Sequence, residues 1–279
     1  MLIDTHCHLV KGYVEPDEVA GVIQCARDAG VGTLIVPGAD PTDAPRVVAL
    51  AELYDNVYCM VGIHPEFAGK IEPSVATNSY KQYLSHPKVV GVGEIGLDYH
   101  YEDPVVADDV AATSTRQIAP RAVQIELFRA QLEIANAAGL PVAVHSRKAR
   151  EDTVEILCAP EYANLGGGNP PGVMHFHCMP WDITKKLLDR GFYFSATGII
   201  TFKNADAERE VFRKLPPDRI VIETDAPWCA PVPYRGKVCE PFMVAATARV
   251  LADIRGVPLP ELENILMENT RRLYPKLKI

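Results

Sequence analysis

Eight short runs rich in Val and Ile recur along the 279-residue chain, and segments of helical spacing separate most of them. The runs cover 2–6, 33–37, 57–64, 89–95, 141–145, 172–175, 193–197 and 220–225. Helical spacing covers 16–29, 44–54, 121–138, 150–157, 183–190 and 206–215, and two more helices, 240–255 and 259–272, close the chain. Short apolar runs suit strands buried on both faces, and parallel neighbours need a crossover between them, usually a helix. The alternation predicts an α/β chain folded as a (β/α)8 TIM barrel, a single domain over residues 1–279. A doubly wound open sheet is the structural alternative, but it gives no reason for chemistry at nearly every strand end.

That is where this chain concentrates its chemistry. His6 and His8, His64, Glu94, His145, His175 and Asp225 each stand at or just past the C-terminal end of a predicted strand. In a barrel those ends converge on one mouth, where active sites are built. His6 and His8 alternate, so in an extended chain both imidazoles point to one face. The loops 65–79 and 101–120 follow strands and are expected to overhang the mouth. The glycine-containing stretch 164–171 follows a helix and belongs to the opposite face, as a linker rather than a phosphate loop.

Six of these residues form a donor set: His6, His8, Glu94, His145, His175 and Asp225. All offer nitrogen or oxygen and none a thiolate, which favours an open hydrolytic centre over a closed structural zinc. Six donors exceed the needs of one catalytic ion, whereas two divalent cations about 3.5–4 Å apart with a shared carboxylate would use them all. The expected arrangement puts His6, His8 and Asp225 on one cation and His145 and His175 on the other, with Glu94 bridging. Zn, Mn or Mg would each suit these donors. Asp225 and Glu94 are the predicted catalytic carboxylates. Glu223, two residues before Asp225, is either a support for the donors or a salt bridge inside the barrel.

Composition narrows the class. A net charge of −8 is poorly suited to wrapping a long duplex, which requires many phosphate contacts. Seven cysteines with no CxxC pair fit a reducing cytoplasm. No segment approaches the roughly 18 apolar residues of a membrane span, and no obligate protein partner is evident.

The segments Asp4-Thr5-His6-Cys7-His8, Gly62-Ile63-His64-Pro65, Gly93-Glu94-Ile95-Gly96-Leu97-Asp98-Tyr99, Pro141-Val142-Ala143-Val144-His145-Ser146-Arg147 and Glu223-Thr224-Asp225-Ala226-Pro227 together resemble the signatures of the TatD family of metal-dependent deoxyribonucleases. The likeness extends to Asn269-Thr270-Arg271-Arg272-Leu273, essentially the whole chain. It implies the same six metal ligands. Two places depart from the family pattern. His175-Phe176-His177-Cys178-Met179 carries a second histidine, His177, that competes with His175 for the ligand role. Arg235-Gly236-Lys237-Val238-Cys239-Glu240-Pro241 has lost one basic side chain.

The resulting expectation is a hydrolase of ester bonds, an exodeoxyribonuclease working from the 3′ end of single-stranded DNA, or on RNA ends. His64, Arg147, Arg235 and Lys237 are the expected substrate contacts, with Lys203 a surface charge. His64 serves either a phosphate or leaving group, or a turn hydrogen bond. The alternative is ester or amide hydrolysis on the same barrel, such as aminoacyl-tRNA deacylation.

Overall fold

The computed structural model describes residues 1–10, 12–100 and 119–279. Eight strands form one sheet: β1 (Leu2–Asp4), β2 (Val31–Pro37), β3 (Val57–Val61), β4 (Val89–Asp98), β5 (Val142–Arg147), β6 (Gly172–Met174), β7 (Tyr193–Ala196) and β8 (Ile220–Ile222). Their spatial order follows the chain, and each of the seven strand pairings is parallel. Among the described residues the helices are α1 (Val19–Asp28), α2 (Asp43–Leu53), α3 (Pro73–Lys81), α4 (Arg121–Ala138), α5 (Arg150–Cys158), α6 (Trp181–Asp189), α7 (Asp206–Lys214), α8 (Val244–Arg255) and α9 (Leu259–Leu273). This is the expected (β/α)8 barrel. No described helix is long and apolar enough to cross a membrane.

Side chains alternate across the strands and make two layers. Ile35, Met60, Val90, Ala143, Val173 and Val221 fill the barrel interior, and Leu273, Tyr274 and Leu277 pack into the same cluster from the chain's C-terminal segment. A larger apolar layer lies between strands and helices, with Leu34, Val36, Leu127, Phe128, Leu187 and Leu251 among its members. The interior above the first layer is given over to polar side chains, and there the site forms.

The ring closes between β8 and β1, just past both strand ends. Thr5 N–H donates to Ile222 O at 3.1 Å, Asp225 N–H to His6 O at 2.9 Å, and His8 N–H to Ala226 O at 2.8 Å. The buried Asp4 carboxylate accepts from Thr224 N–H at 2.9 Å, from His6 N–H at 3.2 Å and from the Thr224 hydroxyl. Burial pushes the Asp4 carboxyl up to about 8, against these hydrogen bonds. Asp4→Ala leaves three buried donors without an acceptor, at about 1–3 kcal/mol each. A urea unfolding midpoint well below that of the parent, with the m-value unchanged, is the expected result.

Several strand boundaries differ from the sequence expectation. β1, β3, β6 and β8 stop before His6, His64, His175 and Asp225: past those points Thr5 and Asp225 bond across the seam and His64 to the loop at Ala39, while Cys7 keeps one bond to Ile35 of β2 and His175 one to Val144 of β5. β4 instead runs on to Asp98, pairing Gly96 with His145 and Asp98 with Arg147. Gly96 has φ +144°, and a Cβ there would lie 2.0 Å from His145 O, so only glycine lets these two strands approach. The segment 65–79 is no simple loop: it holds a 3₁₀ turn, Pro65–Lys70, and most of α3. α3 buries only Ala76, Thr77 and Tyr80, too little apolar periodicity to announce a helix. Most of the predicted loop 101–120 lies outside the described residues.

Candidate active site

The register of β4 shifts between Val92 and Ile95, bracketing Glu94. Such irregularities re-aim a side chain, and Glu94 occupies the middle of the donor cluster. Its two oxygens face different neighbours. Oε2 lies 3.3 Å from His6 Nε2 and 3.6 Å from His8 Nε2. Oε1 lies 2.8 Å from His145 Nδ1, 3.3 Å from His175 Nε2 and 3.7 Å from His64 Nε2. Asp225 Oδ1 stands 3.8, 3.6 and 3.8 Å from His6, His8 and His175 Nε2 respectively.

Within this cluster, His6, His8 and Asp225 form one group whose donor atoms lie within 4.8 Å of one another, and Glu94, His145 and His175 form a second. These match the division expected for two cations; His6, His175 and Glu223 form a further group of the same kind, which crosses that division. The chemistry of the atoms fits the ions. His6 Nε2 and His8 Nε2 are 3.3 Å apart, so two neutral rings share at most one proton between them. Their Nδ1 atoms are buried with no hydrogen-bond partner. The rings are held by packing instead: His6 stacks on His175 at 3.7 Å and His8 on Tyr13 at 4.6 Å. Lone pairs and carboxylate charge converge with no Lys or Arg side chain in either group.

The protonation pattern follows from the same crowding. Burial alone would push the Glu94 carboxyl up, but the surrounding imidazoles of His175, His64, His145 and His6 hold it well below the usual carboxylate range. Burial opposes charge on His145 too, yet Asp98 and Glu94 carry it up to about 9. His175 rises to about 10 against burial, through Glu223, Glu94 and Asp225. His6 goes down, by burial and the nearby His175.

Two carboxylates behind the cluster face the far nitrogens of its histidines. Asp98 Oδ2 is 3.1 Å from His145 Nε2, leaving Nδ1 toward Glu94. Glu223 Oε1 is 2.7 Å from His175 Nδ1 and accepts from Phe176 N–H at 2.7 Å. Such an arrangement fixes ring orientation and raises donor basicity. Asp98→Asn and Glu223→Gln are therefore expected to weaken cation affinity roughly 10- to 100-fold each, measured by titration against a competing chelator with the secondary structure unchanged.

His64 makes the turn hydrogen bond of its sequence readings. Its Nδ1 accepts from Glu66 N–H at 3.2 Å, capping the turn. In a neutral ring that puts the proton on Nε2, which points toward Glu94. Burial lowers its pKa to about 3, so the ring stays neutral. Although His64, Asp98 and His145 also group within 4.8 Å, this tautomer makes His64 a hydrogen-bond donor rather than a third cation's ligand.

His177 does not compete with His175. The two-residue alternation fails because Phe176 takes φ 46° and turns the chain. His177 Nε2 pairs with Thr184 Oγ1 at 2.8 Å, and the ring packs on Phe194 and Phe212.

Besides Asp98, two glutamines of α4 escaped the sequence reading. Gln131 of α4 grips Ile63, accepting from its N–H at 2.8 Å and donating to its carbonyl at 2.9 Å, next to His64. Gln124 grips Asp98 in the same way, at 2.8 and 2.9 Å. The available signal was two glutamines seven apart on the buried stripe of α4, among Leu127, Phe128, Leu132 and Ala135. A buried amide at such a position must find backbone partners.

The cluster opens into a cavity of about 1020 Å³. Arg147, Lys148 and Arg150 border it, and all three are exposed. Arg235, whose guanidinium stacks on Phe202 at 3.8 Å, and Lys237 are on a rim loop outside the cavity wall. Lys203 is an exposed side chain, likewise off the wall.

Comparison with known proteins agrees with this geometry. The family described as TatD related DNase matches residues 3–275. YabD of Bacillus subtilis, a metal-dependent hydrolase by name, is 35% identical over 275 residues, covering 98% of this chain and 99% of its own. YcfH of Escherichia coli K12, likewise so named, is 33% identical over 281 residues, covering 98% and 95%. The crystal structure of the TatD homologue YjjV from Escherichia coli K12 superposes with a TM-score of 0.84 at 31% identity, covering 98% of both chains. The chain is thus a metal-dependent hydrolase built on a (β/α)8 barrel. It belongs to the TatD family.

Proposed function

We propose that this hydrolase cleaves phosphodiester bonds at single-stranded DNA or RNA ends, from the 3′ end on DNA, with two divalent cations held by the six donors. The observation that carries this reading is the division of the Glu94 oxygens between two donor groups, as a bridging carboxylate requires. His6, His8 and Asp225 would hold one cation and His145 and His175 the other, with Zn, Mn or Mg as suitable ions. When bound, the pair neutralises charge on a phosphodiester and makes water acidic enough to attack near neutral pH.

The chain's own residues supply the rest. Asp225 faces both donor groups and is placed to orient the attacking water and accept its proton. The water oxygen bonds to phosphorus as the ester P–O bond breaks, and the leaving oxygen takes up a proton. His64 Nε2–H donates to a phosphate or leaving oxygen. Arg147 holds the flanking phosphate at the cavity wall, whose neighbouring cations offset the negative net charge locally. A footprint of a few nucleotides suits so few cations.

The test is cleavage of an end-labelled single-stranded oligonucleotide by chelator-stripped protein resupplied with Mg, Mn or Zn. Shortening from the 3′ end that needs the cation and is lost in Asp225→Asn supports the reading. A protein that binds two cations yet leaves DNA and RNA intact removes it, and directs attention to aminoacyl-tRNA and other ester substrates.

A further inference from the structure

Six large hydrophobic side chains are exposed among the described residues, and three lie in one rim loop: Trp228 at 53%, Val232 at 46% and Val238 at 68%. Single exposed apolar residues are ordinary, whereas a group beside a cavity mouth marks a contact surface. Other aromatic side chains here have partners: Arg235 covers Phe202, and Tyr234 meets Phe242 edge-to-face at 5.5 Å. Trp228 borders the cavity, and among the described residues no ring or cation stacks on it. It is also anchored. Trp228 N–H donates to Asp225 O at 2.8 Å, closing a four-residue turn. The ends of such a turn lie within about 7 Å of each other at Cα, so the Trp228 backbone is tied to that of Asp225, a member of the donor cluster.

We infer that Trp228 is the stacking platform for the terminal nucleobase of a single strand whose phosphate lies at the donor cluster, an inference that rests on the nuclease reading above. The cavity offers two features together: cations at Arg147, Lys148 and Arg150, and a half-exposed flat aromatic face. A nucleotide uses both, through its phosphate and its base. An aliphatic acyl group uses neither. A folded protein seated on the loop would cover the mouth and block the substrate's path. Stacking reads no sequence because every base has a π-face, so the platform would accept any unpaired end. It would discriminate against a paired end, whose terminal base is already stacked and hydrogen-bonded.

The test compares two single strands of one sequence, one intact and one whose 3′-terminal nucleotide lacks its base, on wild type, Trp228→Phe and Trp228→Ala. Trp228→Ala is expected to lower kcat/KM on the intact strand by on the order of 10- to 100-fold, mainly through KM. Trp228→Phe should recover most of that loss. On the baseless strand all three proteins should perform alike. Equal loss on both strands would make Trp228 a structural residue, and no loss on the intact strand would mean nothing stacks there; either overturns the inference while leaving the nuclease. If wild type cuts neither strand, the nuclease reading fails first, and this inference with it.

Discussion

Replacing Glu94 by glutamine is expected to reduce metal-dependent hydrolysis on the order of 10³-fold or more. The amide has nearly the same shape, so the barrel should stand. What it removes is the negative charge facing His6, His145, His175 and His64, all within 3.7 Å. It also replaces one of two acceptor oxygens by an N–H₂ donor, so the group can no longer serve both sides. Both donor groups should weaken together, and the metal content measured by elemental analysis should fall for both cations rather than one. A variant that kept both cations and more than about a tenth of its rate would show that Glu94 does not bridge. Asp225→Asn should behave differently, losing roughly 10²- to 10⁴-fold in rate with His145 and His175 still able to retain a cation.

Removing the cations should destabilise the protein, and the loss should grow with pH above about 6.5. Each ion at about 100 times its Kd contributes about 2.7 kcal/mol, so stripping two lowers the melting midpoint by on the order of 10 °C. The pH dependence belongs to the cation-free state. His145 and His175 have folded pKa values raised to about 9 and 10, above the unfolded 6.5. Protons on these rings partly replace the cations. Their stabilisation is fully present below pH 6.5 and is lost as pH rises through 9 and 10. Below 6.5 the sign reverses for His6, His64 and His177, which burial keeps neutral and whose charging opposes folding. The stripped protein should therefore be most stable near pH 6.5. Differential scanning calorimetry with and without chelator would show the gap widening from pH 6.5 to 10; a gap independent of pH would mean that protons do not replace the cations.

Much of this architecture was legible because barrel strands are short apolar runs and because the site residues stand immediately after them. The Val- and Ile-rich stretches located every strand, and the donors that followed them located the mouth. The exact strand ends were not legible. Where β1 and β8 finish depends on the hydrogen bonds of Thr5, His8 and Asp225 across the seam, between segments more than two hundred residues apart. Nor did alternation predict the path after His175, since a positive φ at Phe176 is set by tertiary packing. Asp98 stood in plain sight within its motif, but nothing local showed that β4 would extend far enough to bring it to His145. Gln124 and Gln131 carried a usable signal, being polar on an apolar stripe, though their partners Asp98 and Ile63 could be identified only in three dimensions.

The Asp4–Thr224 contact joins residues 220 positions apart in the chain. Closing so long a loop delays the contact relative to local pairing, so during synthesis and refolding the seam is among the last places to form. One cation group draws on both of its sides, with His6 and His8 from the first strand's end and Asp225 from the last. A nascent chain lacking the eighth strand has no such group to offer. With a cation held there as proposed, its acquisition would mark completion of the barrel, and hydrolytic competence would arrive only when the whole chain has been committed to its ring.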